Sequence, residues 1–380
     1  MESWRQVSLF YDGDSFFNSL IRDIRNAQKS VMIESYIFNW DRLTQSLLQE
    51  LKSARSRGVD VKIVVDGFGA YYQIPHLDKW CSDNQIEFRV FHPLPYPMLW
   101  ARNLFVKYAL WRGSFLRKIN RRTHRKMTII DEEIAYVGSM NFAEYHCAEY
   151  VGDAAWRDTG ARVIGPPVQR LIMAFQISYL RTYIKGLMSW VNRWKDRSPP
   201  YSNFLRLNTT QKMRRQMYQD LLRKFLTAES RIYITTAYFL PKRAILRAMI
   251  KAADKGVDIK IIIPGKSDVP LVKWAAFFII QWLVKKKISI YEYQPSILHA
   301  KTMIIDNEAH VGSFNLNHRS LLHDLEVEVI LNDQSSLESM IHQWNVDLKN
   351  SKPMTQDDVK NPSWFSRQLY RIAFKLRYML

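Results

Sequence analysis

His124-Arg125-Lys126-Met127-Thr128-Ile129-Ile130-Asp131, followed by Gly138-Ser139-Met140-Asn141, has a second copy in the same chain. That copy is His299-Ala300-Lys301-Thr302-Met303-Ile304-Ile305-Asp306, followed by Gly312-Ser313-Phe314-Asn315. Both read His-x-Lys-x4-Asp and then Gly-Ser-x-Asn, with six residues after the Asp in the first copy and five in the second. A match at six fixed positions arises by chance at on the order of one in tens of millions of start positions, so the duplication is a property of the chain. Met-Thr-Ile-Ile and Thr-Met-Ile-Ile are β-prone apolar runs, which puts each motif on a buried strand. Alternation along a strand then gives His124, Lys126 and Thr128 one face, and His299, Lys301 and Met303 one face. A His and a Lys on one face make a compact site, a titratable nucleophile or acid beside a fixed positive charge. In Gly-Ser-x-Asn the Gly allows a tight backbone, while Ser139, Asn141, Ser313 and Asn315 offer hydrogen bonds; Lys, Ser and Asn together suit phosphate oxygens. One such pair is more often structural than functional, and two in one chain reverse that weighing.

The repeat extends beyond the motifs. Apolar positions at helical spacing predict a helix over 12–27 with Asp14 or Ser15 as its cap, then a strand over 31–38. A helix over 43–57 ends at Gly58, and strands over 61–66 and 86–91 follow. The second half replays this with a strand over 232–239, a helix over 244–255 ending at Gly256, and a strand over 288–293. Gly256-Val257-Asp258-Ile259-Lys260 repeats Gly58-Val59-Asp60-Val61-Lys62. Whole domains are therefore duplicated, and alternating strands and helices imply α/β sandwiches with helices on both faces. Lys195-Asp196-Arg197-Ser198-Pro199-Pro200 has the composition of a linker, which divides the chain into 1–197 and 198–380.

At 380 residues the chain is long enough for two such cores, and an apolar fraction of 47% excludes a disordered protein. The net charge of +19 predicts an anionic partner, a nucleic acid or an anionic membrane surface. Two cysteines, Cys81 and Cys147, make no disulfide framework. Met1-Glu2-Ser3-Trp4-Arg5 carries no apolar signal core, which favours the cytoplasmic side, and no window is long enough to span a bilayer. The stretch nearest to one is Trp274 to Val284, flanked by Lys273 and Lys285-Lys286-Lys287, which suits a membrane surface. The histidines outside the motifs show no zinc-type spacing, no metal or cofactor is expected, and His323-Asp324 reads as ordinary polar surface.

The halves differ in one place. Three residues separate Pro295 from His299, whereas thirty, 94–123, separate Pro93 from His124. This insertion interleaves aromatic residues, Trp100 and Trp111 among them, with Arg102, Lys107, Arg112, Arg117, Lys118, Arg121 and Arg122, and holds no acid. That pattern reads as an interfacial lipid-binding segment; the plainer reading is a helical pair with a solvated basic face. Residues 364–380 read as a basic amphipathic helix, equally suited to anionic headgroups and to packing back on the body.

The duplicated His-x-Lys-x4-Asp motif resembles the signature of the phospholipase D superfamily, and the resemblance covers nearly the whole chain. It implies two similar phospholipase D-like α/β sandwich domains related by a pseudo-twofold axis, with one active site shared between them. It implies a catalytic set of His124, Lys126, Asp131, His299, Lys301 and Asp306, although the odd spacing of Asp131 and Asp306 from the lysines takes both to the other strand face, as a structural role requires. It implies His124 as the nucleophile that forms a phosphohistidine and His299 as acid and base, an order that the residues themselves leave open. It implies a carboxylate behind each histidine, matched by Asp158 in Trp156-Arg157-Asp158 and by Glu326 in Asp324-Leu325-Glu326, whose role would be to fix the tautomer.

Within the superfamily the chain is most similar to bacterial cardiolipin synthases, on Tyr11-Asp12-Gly13-Asp14, Ile33-Glu34-Ser35-Tyr36-Ile37-Phe38, Trp156-Arg157-Asp158-Thr159 and Asn315-Leu316-Asn317-His318-Arg319-Ser320. It departs from longer members in having no N-terminal spans. The resemblance implies a peripheral protein on the cytoplasmic side of the bacterial inner membrane. There it would move a phosphatidyl group from phosphatidylglycerol to a second lipid and release glycerol. The alternatives are a phospholipase D-type hydrolase or a nuclease on the same scaffold, and, in another class, a non-catalytic membrane-binding protein. The clustering of aromatic with basic residues disfavours nucleic acid, and the completeness of both motifs disfavours a protein without activity.

Overall fold

The computed structural model describes residues 3–94, 121–182, 202–286, 288–360 and 362–376. In the first half the strands are β1 (Gln6–Phe10), β2 (Ser30–Ser35), β3 (Asp60–Asp66), β4 (Glu87–Phe91), β5 (Met127–Ile130), β6 (Ile134–Gly138) and β7 (Gly160–Ile164). In the second they are β8 (Leu205–Leu207), β9 (Arg231–Thr236), β10 (Asp258–Pro264), β11 (Ile288–Tyr293), β12 (Lys301–Ile305), β13 (Glu308–Gly312), β14 (Val327–Leu331) and β15 (Ser351–Pro353). Two sheets result among the described residues. The first has the order β1-β7-β6-β5-β2-β3-β4 and the second β15-β11-β10-β9-β12-β13-β14-β8. With β15 set aside, the second order is the first one replayed in reverse listing. In the first sheet β2, β3 and β4 pair in parallel and in the second β9, β10 and β11 do, and the remaining pairs are antiparallel.

Parallel pairs need crossovers, and helices supply them. The longer helices are α1 (Gly13–Asn26), α2 (Arg42–Ser56), α3 (Ile74–Asp83), α4 (Val168–Leu180), α5 (Gln211–Thr227), α6 (Arg243–Asp254), α7 (Pro270–Leu283), α8 (Gln334–Lys349) and α9 (Trp364–Leu376). The cap of α1 is Asp12, whose carboxylate accepts the Ser15 N–H at 2.7 Å, two residues before Asp14 and three before Ser15, the positions expected from the sequence. Gly58 and Gly256 follow α2 and α6 at φ of 92° and 98°, the left-handed turn that a helix end uses. Helices α3, α4, α5, α7 and α8 lie where the sequence reading placed none.

Each sheet is covered on its outer face by helices and on its inner face by the other sheet. One apolar cluster joins Phe17, Leu20, Leu47, Leu51 and Leu77 of the first outer layer to Ile33 and Ile63 of its sheet. A corresponding cluster unites Phe225, Met249 and Ile279 with Ile234 and Ile261. The third lies between the sheets: Met127, Ile129, Val137 and Val163 meet Ile304, Val311, Val327 and Val329, with Phe175 of α4 and Trp344 of α8 at its ends. Helices thus stand on both faces, as expected, but the inner face of each sheet is shared between one helix and the opposite half. The division expected at 195–200 lies outside the described residues.

Asp131 and Asp306 end the motif strands in the turns that lead to β6 and β13, at φ of 51° and 49°. The Asp131 carboxylate accepts the backbone N–H groups of Gln28, Lys29 and Ser30, at 2.7 Å from Lys29. Asp306 does the same for Glu229, Ser230 and Arg231. Both anchor the start of a neighbouring strand (β2 or β9), so the grouping of these residues with the catalytic set is corrected: their side chains are committed to backbone. Burial would raise the Asp306 carboxyl, but these hydrogen bonds hold it below its ordinary value. A group held low in the fold stabilises it above the unfolded pKa and ceases to as pH falls through the folded value. Asp306→Ala is therefore expected to cost about 1–2 kcal/mol at neutral pH, a modest figure because the carboxylate is partly solvent-screened. In urea titrations the gap to wild type should shrink as the pH is lowered below the ordinary carboxylate value.

Candidate active site

His124 and His299 stand just before β5 and β12, and each is fixed by backbone from the opposite half. The His124 N–H donates to the Leu325 carbonyl at 2.9 Å, and the His299 N–H to the Arg157 carbonyl at 2.8 Å. Short parallel bridges, Thr123 with Leu325 and Arg157 with Leu298, secure the same crossing. The residue after each acceptor is a carboxylate, so the crossing delivers Glu326 to His124 and Asp158 to His299. His124 Nδ1 is 3.1 Å from both Glu326 oxygens, and His299 Nδ1 is 2.8 Å from Asp158 Oδ1. All four residues are at least nine-tenths buried. An Nδ1–H given to a carboxylate leaves Nε2 as the free nitrogen on each ring.

The Gly-Ser-x-Asn segments build the other side of each carboxylate. Ser139 Oγ donates to Asp158 at 2.6 Å, and Ser313 Oγ donates to Glu326. These serines were expected to face phosphate oxygens; the structure commits them to the carboxylates instead. The glycines make room for the strands that follow those carboxylates. A Cβ on Gly138 would meet the Thr159 carbonyl at 2.7 Å, and one on Gly312 the Val327 carbonyl at 2.2 Å. Asn141 and Asn315 are buried with their amide oxygens unpartnered. Lys126 and Lys301 each fold back on the motif, donating to the carbonyls of His124 at 2.9 Å and His299 at 2.5 Å.

Burial decides the protonation of the cluster. Burial, with Lys126 and Lys301 nearby, holds His124 well below the ordinary histidine value. Burial and Lys301 bring His299 down to about 4 against the pull of Asp158. Burial and mutual repulsion lower Lys126 to about 7, and burial lowers Lys301 to about 8. Glu326 is raised by burial to about 7, in spite of Lys126 and the two serine hydroxyls. Asp158 is equally buried, yet His146 and His299 on its two sides hold it well below the usual carboxylate range.

His146 is therefore a part of the site that the sequence reading missed. It is 1% exposed, its Nδ1 lies 2.7 Å from Asp158 Oδ2, and its Nε2 accepts the Asn141 N–H at 3.0 Å. That acceptor role fixes the proton on Nδ1, directed at Asp158. His146 lies five residues after Asn141, and the residue five after Asn315 is Ser320, whose hydroxyl donates to Glu326 at 2.6 Å. Aligning the two motifs past their last Asn was the signal available in the sequence. The two halves are thus unequal at this position: one carboxylate has two imidazoles and one hydroxyl, the other has one imidazole and two hydroxyls. Aromatic rings wall the histidines, with Tyr36 5.1 Å from the His124 ring and Trp156 5.3 Å from the His299 ring.

Of the insertion, Trp100, Arg102, Lys107, Trp111, Arg112, Arg117 and Lys118 lie outside the described residues. Arg121 is half-buried. Arg122 corrects the lipid-contact expectation: it is 1% exposed, donates to the His92 carbonyl at 2.8 Å and lies 3.8 Å from Asp66. Asp324, read as polar surface, is buried against Arg319 at 2.8 Å. The stretch from Trp274 to Val284 falls on α7 and its end. Its exposed side is largely covered by α9: Phe277 stacks on Tyr370 at 4.4 Å and Phe278 meets Phe374 at 5.9 Å. The other side of α9 keeps Trp364, Phe365 and Ile372 exposed among Arg367, Arg371 and Lys375. Among the described residues no helix is long and apolar enough to cross a membrane, and no group of three or more His, Cys, Asp or Glu is arranged to hold a metal ion.

Comparison with known proteins adds sequence and structural relatives. The family model described as "Cardiolipin synthase, PLD-like domain" matches residues 20–154 and 221–348. Cardiolipin synthase B of Salmonella typhi is 30% identical over 340 residues, covering 87% of this chain and 78% of that protein. Cardiolipin synthase 2 of Staphylococcus epidermidis is 29% identical over 360 residues, covering 93% and 70%. Among solved structures, the phosphatidylserine synthase of Haemophilus influenzae superposes with a TM-score of 0.73 at 12% identity, over 100% of this chain and 97% of that one. At that identity the likeness is one of fold.

Removing His146 leaves the Asn141 N–H without an acceptor and Asp158 one donor short. His146→Ala is expected to lower unfolding stability by about 2–4 kcal/mol. Ser320→Ala, which removes one neutral hydroxyl, should cost about 1 kcal/mol. Urea unfolding of both variants against wild type checks the order.

Proposed function

The chain belongs to the cardiolipin synthase family of phospholipase D-like proteins, and from that membership we propose that it transfers a phosphatidyl group from phosphatidylglycerol to the headgroup alcohol of a second phospholipid. The single observation that carries this reading is the crossed pair of histidines, each with Nδ1 on a carboxylate of the opposite half and Nε2 free. A phosphodiester is already anionic, so a site that cleaves it must neutralise oxygens, supply a nucleophile and protonate a leaving alkoxide. Lys126, Lys301 and the amides of Asn141 and Asn315 do the first. His124 Nε2 attacks phosphorus; the N–P bond forms, the P–O bond to glycerol breaks, and His299 gives its Nε2 proton to the leaving oxygen. His299 then takes the proton of the incoming hydroxyl, whose oxygen attacks the phosphohistidine and frees His124.

The inequality of the halves supports this polarity. A firmly ionised Asp158 stabilises the imidazolium of His299, whereas the near-neutral Glu326 leaves His124 uncharged and nucleophilic. The incoming phosphodiester anion raises His299 from about 4 by adding negative charge beside it. The exposed aromatic and basic side of α9 supports residence at an anionic membrane surface. The two-domain division at 197/198 is part of the same reading.

Purified protein on mixed micelles of phosphatidylglycerol, with all lipid products read by mass, is expected to give cardiolipin and glycerol. His124→Ala should give neither, with a loss of at least about 10³-fold. Phosphatidic acid in place of cardiolipin would make the protein a hydrolase, and no turnover would remove the reading. The value of kcat/KM should fall as pH rises through about 7 to about 8, where Lys126 and Lys301 lose the protons that attract the phosphodiester. A double variant, Trp364→Ser with Phe365→Ser, should weaken cosedimentation with phosphatidylglycerol vesicles about tenfold. Unchanged cosedimentation would remove α9 from the membrane contact.

A further inference from the structure

The face of the first motif turned away from His124 and Lys126 carries a second concentration of positive charge. Arg125, between them in sequence, is fully buried; its guanidinium donates to Ser178 Oγ and the Ala174 carbonyl on α4 and to Thr209 Oγ1. Arg181, the cap of α4, donates to the carbonyl of the same Thr209 at 3.3 Å. One turn further on, Arg214 in the first turn of α5 is 6% exposed, and none of its three side-chain nitrogens has a hydrogen-bond partner. Arg121 and His323, both half-buried, complete the cluster toward the surface. The acids within its field are already engaged: Glu34 lies 3.7 Å from Arg125, and Asp324 is 2.8 Å from Arg319.

A buried guanidinium without acceptors is costly, and three more of its kind nearby add repulsion. An occupant that brings several acceptor oxygens and at least one negative charge removes both costs, and the planar donors of arginine match phosphate above other anions. We propose that Arg214 and Arg181, with Arg121 in the same field, form a second phosphate-binding subsite for an anionic headgroup, distinct from the Lys126–Lys301 pair. This inference rests on the phosphatidyl-transfer reading only for the identity of the lipid; the subsite itself stands on the unpartnered guanidinium.

The test uses the full chain carrying His124→Ala, which binds without turning over. Calorimetric titration with short-chain phosphatidylglycerol should give two headgroup equivalents, and adding Arg214→Gln should leave one, with the affinity for the lost equivalent reduced at least tenfold. Arg181→Gln should weaken the same equivalent. Inorganic phosphate and sn-glycerol 3-phosphate form the other arms: loss of their binding in Arg214→Gln means that the subsite accepts free phosphates, and loss confined to phosphatidylglycerol means that it reads a lipid. Unchanged stoichiometry and affinity in both variants, with a raised thermal midpoint for Arg214→Gln, would overturn the proposal and leave Arg214 as an unpaired buried charge. A wild-type chain without transferase turnover that still binds two equivalents would remove the transfer reading and keep the subsite.

Discussion

Each motif histidine is oriented by a carboxylate that belongs to the other half of the chain. His124 leans on Glu326 and His299 on Asp158, and the backbone next to each carboxylate accepts the N–H of the same histidine. Neither half can satisfy its own imidazole. A half on its own would leave Asp158 with only Ser139 and His146, and Glu326 with only Ser313 and Ser320. Arg157, the neighbour of Asp158, reaches Asp347 on α8 through two hydrogen bonds of 2.8 and 2.9 Å and ties the crossing to the helix layer of the second half. The apolar core between the sheets and this polar crossing are two parts of one interface. The first supplies its bulk and the second its register.

Low dielectric is the other constraint on the site. Burial drives carboxyls up and amines down, so groups that are far apart in water approach one another: Glu326 and Lys126 both come to about 7. A cluster so balanced is sensitive to one added charge, and a phosphodiester anion supplies it. The serines satisfy the carboxylates and the lysines donate to the motif carbonyls, while the amide oxygens of Asn141 and Asn315 remain as unpartnered acceptors.

Duplication makes the halves alike, and single replacements make them unequal. His146 and Ser320 occupy matching places behind Asp158 and Glu326, yet the two carboxyls are shifted in opposite directions, Asp158 down and Glu326 up. The second half also adds β15 and α9, and α9 covers the aromatic side of α7 that would otherwise face water. A second copy of a motif thus completes the crossed pair, while its departures from the first copy make the two carboxylates unequal.

The sequence by itself determined what depends on local pattern and on repetition. The alternation of Met127 to Ile130 and of Thr302 to Ile305, the glycines that end α2 and α6, and the repeated order of elements suffice for two α/β halves and for the four residues His124, Lys126, His299 and Lys301, because strand period and helix ends are encoded within a few residues. Matching to a known family brought in Asp158 and Glu326. The tertiary structure decided what depends on contacts far apart in the chain: which carboxylate serves which histidine, with 202 residues between His124 and Glu326; that Ser139 and Ser313 face carboxylates; that Asp131 and Asp306 hold backbone; that Arg122 is an interior strut; and that His146 belongs to the site. Spacing put Asp131 and Asp306 on the other strand face and set His146 opposite Ser320, but the partners themselves follow from no spacing, since a side chain's partner is set by the element packed across from it, and that element is chosen only when the two sheets close on their common core.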